Sequence, residues 1–75
     1  MNFSKEEVVK HIGKNIRLIR IEKGMTIENL ANESELEYSQ ISRIELGLIN
    51  TSVFHIYKIS KVLSVPVSRI FEFIS

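Results

Sequence analysis

The sequence has no cysteine, no tryptophan, a single proline and three glycines. Without cysteine, neither a disulfide nor a thiolate metal site can brace a chain of 75 residues, which is near the lower size limit for a self-sustaining core. No apolar run reaches the ~18–20 residues of a membrane span and no signal-peptide pattern opens the chain, so a cytoplasmic protein without a membrane partner is expected. An excess of one charge is also missing. Ten Lys and Arg stand against nine Glu, a formal net charge of +1. That is far from the basic footprint that announces nucleic acid by itself, although charge can segregate by face. No low-complexity tract, linker or internal repeat interrupts the chain, and residues 1–75 read as one domain.

What is present is a hydrophobic content of 44%, with apolar residues recurring at spacings of three and four. That period, with so few breakers, predicts an all-α fold. Ser4 and Glu7 form a capping-box pair for a first helix carrying Val8, Ile12, Ile16 and Ile19 on one face, stopped at Lys23-Gly24. Thr26 caps a second, short helix that buries Leu30 and Ala31. Ser34-Glu35-Leu36 interrupts it, and a third helix is expected from about Glu37 to Leu46, stopped by Gly47. Asn50, Thr51 or Ser52 caps a fourth with Val53, Ile56, Ile59 and Leu63 inward. Val65-Pro66 should end it, because the residue before proline is pushed out of helical space. A last helix, from Val67 to about Ile74, should bring Ile70 and Phe71 to the core. Short helices and tight turns favour a compact five-helix orthogonal bundle over a coiled coil.

In the third helix, Ile41 and Ile44 fall on one side at 100° per residue, with Leu36 packing the turn. Tyr38, Ser39, Ser42 and Arg43 fall opposite, with Gln40 at the flank. Hydroxyls, a phenol and a guanidinium on one exposed face suit major-groove reading, since Arg can bond guanine bidentately and serines can donate or accept.

Arg17 and Arg20 before Gly24, then Thr26, Leu30-Ala31, Ile41-Ser42-Arg43-Ile44-Glu45 and Gly47, come in an ordered set. The set resembles the helix–turn–helix DNA-binding domain of the lambda-repressor/Cro (Xre) family over about Ile12 to Phe71, with the motif at about 26–46. The resemblance implies that double-stranded DNA is the partner, with Tyr38, Ser39, Gln40, Ser42 and Arg43 reading bases from the major groove. It also implies a partly buried ion pair between Arg20 and Glu45, tying the first helix to the end of the third.

Three departures from the family pattern stand out. Ile27 replaces the usual glutamine after the second helix's cap, Glu35 the turn glycine, and Glu37 the Ser or Thr cap of the third helix. The loop from Gly47 to Thr51 holds no Lys or Arg. Phosphate contact therefore falls to helix N-terminal amides and to Arg17, Thr26, Asn50, Thr51, Ser52 and Arg43. So few cations predict a shallow salt dependence and modest affinity per subunit, hence a homodimer on a two-half-site operator. Val67, Phe71, Phe73 and Ile74 exceed what a short terminal helix buries and are the expected dimer interface. Leu18/Ile21 and Phe54/Tyr57 are further apolar pairs out of phase with their cores.

His11 and His55 are far apart in sequence, with no Cys or Asp near them, so neither metal nor cofactor is expected. No nucleophile–base–orienter set points to an enzyme. The expectation is a small transcriptional regulator of bacterial or phage type, blocking or touching RNA polymerase by operator occupancy. A protein-interaction module, docking a protein partner by Leu18/Ile21 or the C-terminal end, is the alternative.

Overall fold

Five α-helices follow one another in the computed structural model, which describes residues 3–73. They are α1 Lys5–Glu22, α2 Ile27–Ser34, α3 Tyr38–Glu45, α4 Val53–Leu63 and α5 Val67–Ile70, and no strand occurs among the described residues. Each long helix has a local reason for its start. The Glu7 N–H donates to Ser4 Oγ at 3.2 Å while the Ser4 N–H donates to Glu7 Oε1 at 3.0 Å. The Ser4 backbone bond, with the Ser4 hydroxyl and nearby His11, holds the Glu7 carboxyl below its ordinary 4.5. Thr26 and Asn29 form the same reciprocal cap on α2, and Ser52 Oγ accepts from the His55 N–H at 3.1 Å on α4.

The ends are equally local. Gly24, at φ +71, turns the chain out of α1, and the Met25 N–H closes back on the Arg20 carbonyl at 3.0 Å. A glutamate and a serine do the same job after α2 and α4, since Glu35 and Ser64 adopt φ values of 60 and 57.

Helix α1 packs on α3 and α5, α2 packs on α3 and α4, and α4 packs on α5. The core is wholly aliphatic: Ile16, Ile19, Leu30, Ala31, Ile41, Ile44, Ile56, Ile59, Leu63 and Ile70. Ser34 is buried too, its hydroxyl donating to the Leu30 carbonyl at 2.6 Å. Helices α1 and α3 meet at Gly13, where an added Cβ would sit 2.0 Å from the Ile44 carbonyl oxygen.

Several sequence-based expectations need correction. Val53 is not inward but 78% exposed, because the buried arc of α4 runs through Ile56, Ile59, Ser60 and Leu63 and leaves the first helical residue outside it. The left-handed Ser64, not Val65-Pro66, ends α4. Pro66 instead occupies the N-cap of α5. The last helix stops at Ile70, well short of position 74, because Asn15 Nδ2 of α1 takes the carbonyls of Ile70 and Glu72 at 2.9 and 2.6 Å. Phe71 is consequently outside the core, 39% exposed. α3 is shorter by one residue at each end, with Glu37 and Leu46 as its caps.

Candidate nucleic-acid interface

The third helix is held in place from three sides before any ligand is considered. Ile41 and Ile44 are sunk in the core, at 0% and 2% exposed. Its C-terminal turn lies against Gly13 of α1. Its last residue, Glu45, receives a two-pronged bond from Arg20: Nε to Oε2 at 2.7 Å and Nη2 to Oε1 at 3.1 Å. The remaining guanidinium nitrogen, Nη1, donates to the Met25 carbonyl at 2.7 Å. Both side chains are buried, at 10% and 3% exposed, so the pair is a planar brace shielded from water. Glu45 is thereby neutralised inside the protein and contributes no carboxylate to the outer face of α3.

On that outer face stand Ser39 and Arg43, with Tyr38 and Ser42 to one side; Tyr38 is 56% exposed. None of the four side chains takes part in a hydrogen bond or ion pair among the described residues. Gln40 lies on the other flank and is already engaged, since its Oε1 accepts the Glu37 N–H at 3.1 Å. Glutamine thus performs as a helix-start acceptor, with its amide NH2 left over as a donor.

The remaining polar positions gather at helix starts. Thr26 and Ser52 are exposed N-caps whose hydroxyl oxygens accept backbone N–H groups, which leaves each hydroxyl proton free to donate outward. Thr51 Oγ1 and His55 Nδ1 share a bond of 3.1 Å, and Asn50 is exposed in the loop before α4. Arg17 is exposed on α1, one step round the helix from Gly13 and Arg20. Against these stand exposed carboxylates at Glu35 and Glu37, beside the start of α3.

This arrangement of two short helices, a left-handed turn and a braced second helix matches the helix–turn–helix family over residues 16–70. The chain belongs to that family, in its lambda-repressor-like branch. This helix–turn–helix chain is similar to control protein C.BamHI of Bacillus amyloliquefaciens, at 42% identity over 62 residues, covering 81% of this chain and 76% of that protein. It is similar as well to an HTH-type transcriptional regulator of Sinorhizobium medicae, 37% identical over 62 residues, covering 83% of this chain. It spans only 45% of that protein's length. Among solved structures, the restriction-modification controller protein C.AhdI from Aeromonas hydrophila superposes with a TM-score of 0.82 at 30% identity, covering 84% of this chain and 96% of that one.

The C-terminal apolar residues differ in their surroundings among the described residues. Val67 is half-buried against the core and Phe71 is exposed. The Phe73 ring packs on Phe3 and His11, with centroids at 5.3 and 5.0 Å. Ile74 lies outside the described residues. Two positioning residues, Gly13 and Asn15, escaped the sequence reading. A glycine inside a strongly helical run was the available signal for the first, since such a residue usually marks close packing. Nothing local marks Asn15, whose partners lie 55 and 57 residues away.

Proposed function

We propose that this chain regulates transcription by inserting α3 into the major groove of double-stranded DNA, as a homodimer on a two-fold symmetric operator. The observation that carries the reading is a rigidly braced helix whose outward side chains, Tyr38, Ser39, Ser42 and Arg43, have no bonding partner among the described residues. A preorganised donor set of this kind suits base edges, and α3 held at both ends loses little freedom on docking. Arg17, Arg43, the Thr26 and Ser52 hydroxyls, Asn50, Thr51 and the open amides at the starts of α2 and α4 supply phosphate contacts. Repression by occupying a promoter is the simplest outcome, and contact with RNA polymerase is the other.

Selection from a random duplex library, at low and at physiological salt, tests this directly. Recovery of a two-fold symmetric motif supports the reading. No enrichment at either salt would favour a protein-docking role instead, to which the exposed Glu35 and Glu37 beside α3 lend support.

Two substitutions refine it. Arg43→Ala is expected to weaken binding to the selected duplex by about 1–3 kcal/mol and to relax preference at one base pair per half-site. Unchanged affinity and preference in a titration of single-base variants would remove Arg43 from the reading set. Glu35→Gly acts differently. A side chain in the left-handed region costs about 1–2 kcal/mol, of which glycine's larger loss of chain freedom takes back about 0.5–1. Urea melts should therefore show a gain of about 0.5 kcal/mol. DNA affinity should rise as well, because a carboxylate has been removed. Glu35→Ala separates the two effects, since it discharges the position without relieving the backbone.

A further inference from the structure

Helix α4 is buried along one side only. Ile56, Ile59, Ser60 and Leu63 face the core. At 100° per residue, Phe54, Tyr57, Lys58 and Lys61 fall within an arc of about 100° on the opposite side. Phe54 is 64% exposed and Tyr57 49%. The lysine four residues after each ring reaches back over it. Lys58 Nζ lies 5.3 Å from the Phe54 centroid, and Lys61 Nζ lies 6.0 Å from that of Tyr57. Neither lysine takes part in an ion pair among the described residues. The neighbouring sequence offers no counter-charge either, since residues 46–71 contain no Asp or Glu. This strip and the outward face of α3 stand on different helices, so one need not be covered when the other is.

We infer that the outer side of α4 docks an acidic, amphipathic helix of a different protein. Apolar side chains of that helix cover the Phe54 and Tyr57 rings, and its carboxylates pair with Lys58 and Lys61. The spacing supports this occupant: positions 54, 57, 58 and 61 follow the i, i+3, i+4, i+7 pattern by which one helix face is laid against a partner. Charge complementarity selects it. A second copy of the chain is a poor occupant, because a two-fold axis through the strip sets lysines against lysines with no acid between them. Single-stranded nucleic acid also uses cations interleaved with aromatic rings, but it is held in a basic groove that tracks successive phosphates. Here a convex helix of 11 residues carries two lysines, and its exposed area is mostly ring carbon. Large rings with cations at their edge are the composition of a protein-binding patch, in which the rings give up water and the ammonium groups set orientation. The inference stands apart from the DNA reading, since none of the four residues belongs to the groups assigned to DNA.

Panning a displayed library of random peptides against the purified, immobilised chain tests the strip. It should return sequences that combine Asp or Glu with Leu or an aromatic residue at helical spacing. A synthetic peptide of the recovered sequence, followed by fluorescence anisotropy, should bind Phe54→Gln and Lys58→Glu each roughly tenfold more weakly than wild type, and should weaken as salt is raised. Both positions lie on the side of α4 away from the core, so thermal melts of the two variants should match the wild type. Exchanging the peptide's acids for lysines should abolish binding to wild type and restore it on a chain carrying Lys58→Glu with Lys61→Glu, a swap that misfolding cannot produce. Recovery of no sequence, or only of sequences without acids, overturns the inference. So does wild-type affinity in both single variants. An oligothymidylate strand held by the wild type and released by the same variants would overturn it too, by making the strip a nucleic-acid surface. Phe54→Gln should bind duplexes from the selection within about twofold of wild type. A chain that recovers acidic peptides yet no duplex would sink the regulator reading while leaving the strip in place.

Discussion

Glu45→Ala should destabilise the domain by about 3–5 kcal/mol, because it leaves the Arg20 guanidinium buried without its counter-charge. Arg20 is 8% exposed and Glu45 7%, so water cannot replace the lost partner unless the packing opens. For a chain of this size, whose total stability is expected in the range of about 5–15 kcal/mol, that is a large fraction. At roughly 4–8 °C per kcal/mol, the thermal midpoint should fall by at least about 12 °C. The effect belongs to the stranded charge more than to the bond. Replacing both partners together, Arg20→Met with Glu45→Leu, should therefore recover most of the loss, since an apolar pair of similar volume needs no desolvation. A double-mutant cycle of urea melts measures this, and a double variant as unstable as the single one would show that the bond itself carries the stability. The Met25 carbonyl, which accepts from Arg20 Nη1 at 2.7 Å, loses its partner in the double variant, so recovery should be incomplete.

Gly13→Ala is expected to reverse the sign that helix propensity assigns it. In an exposed helix interior, alanine in place of glycine stabilises by about 1 kcal/mol. Here the new methyl would lie 2.0 Å from the Ile44 carbonyl oxygen and 2.9 Å from that of Glu45, and neither atom can rotate away as a side-chain tip could. Helix α1 must instead lift from α3, which opens the contact that holds α3 and loosens the Arg20–Glu45 brace beside it. Overpacking of this kind typically costs about 1–3 kcal/mol and occasionally more, enough to outweigh the propensity gain. Thermal melts should show a clear loss. Affinity for the selected duplex should fall further than stability alone explains, because α3 shifts relative to the other docking groups. A Gly13→Ala chain as stable as wild type would mean that α1 and α3 tolerate separation.

Helix starts were the most legible part of this protein. Ser4 and Thr26 cap where their position before an apolar period says they should, and Ser52 is the one of the three candidates at 50–52 that caps α4, because a cap is a bond between residues three apart and needs no tertiary partner. The inward residues of α2 and α3 follow from the same local geometry, as do the outward Tyr38, Ser39 and Arg43. The ends were less readable. Glu35 and Ser64 take a left-handed conformation that favours glycine; the family resemblance marks Glu35 as standing at the turn glycine, whereas nothing local announces Ser64.

From residue order alone came the all-helical class, the helix starts, the membership cues of the helix–turn–helix family and the composition of the outward face of α3. Those rest on spacing within one helix or on a resemblance spread along the chain. Only the tertiary structure decided what depends on distant segments meeting. Asn15 reaches carbonyls more than fifty positions away and ends α5 early. Gly13 is small because another helix's backbone lies against it. Val9, Ile12, Ile49, Val53 and Phe71 share one groove, because segments far apart in sequence border one hollow. Local periodicity records which way a side chain points from its own helix, and it carries no record of what stands opposite.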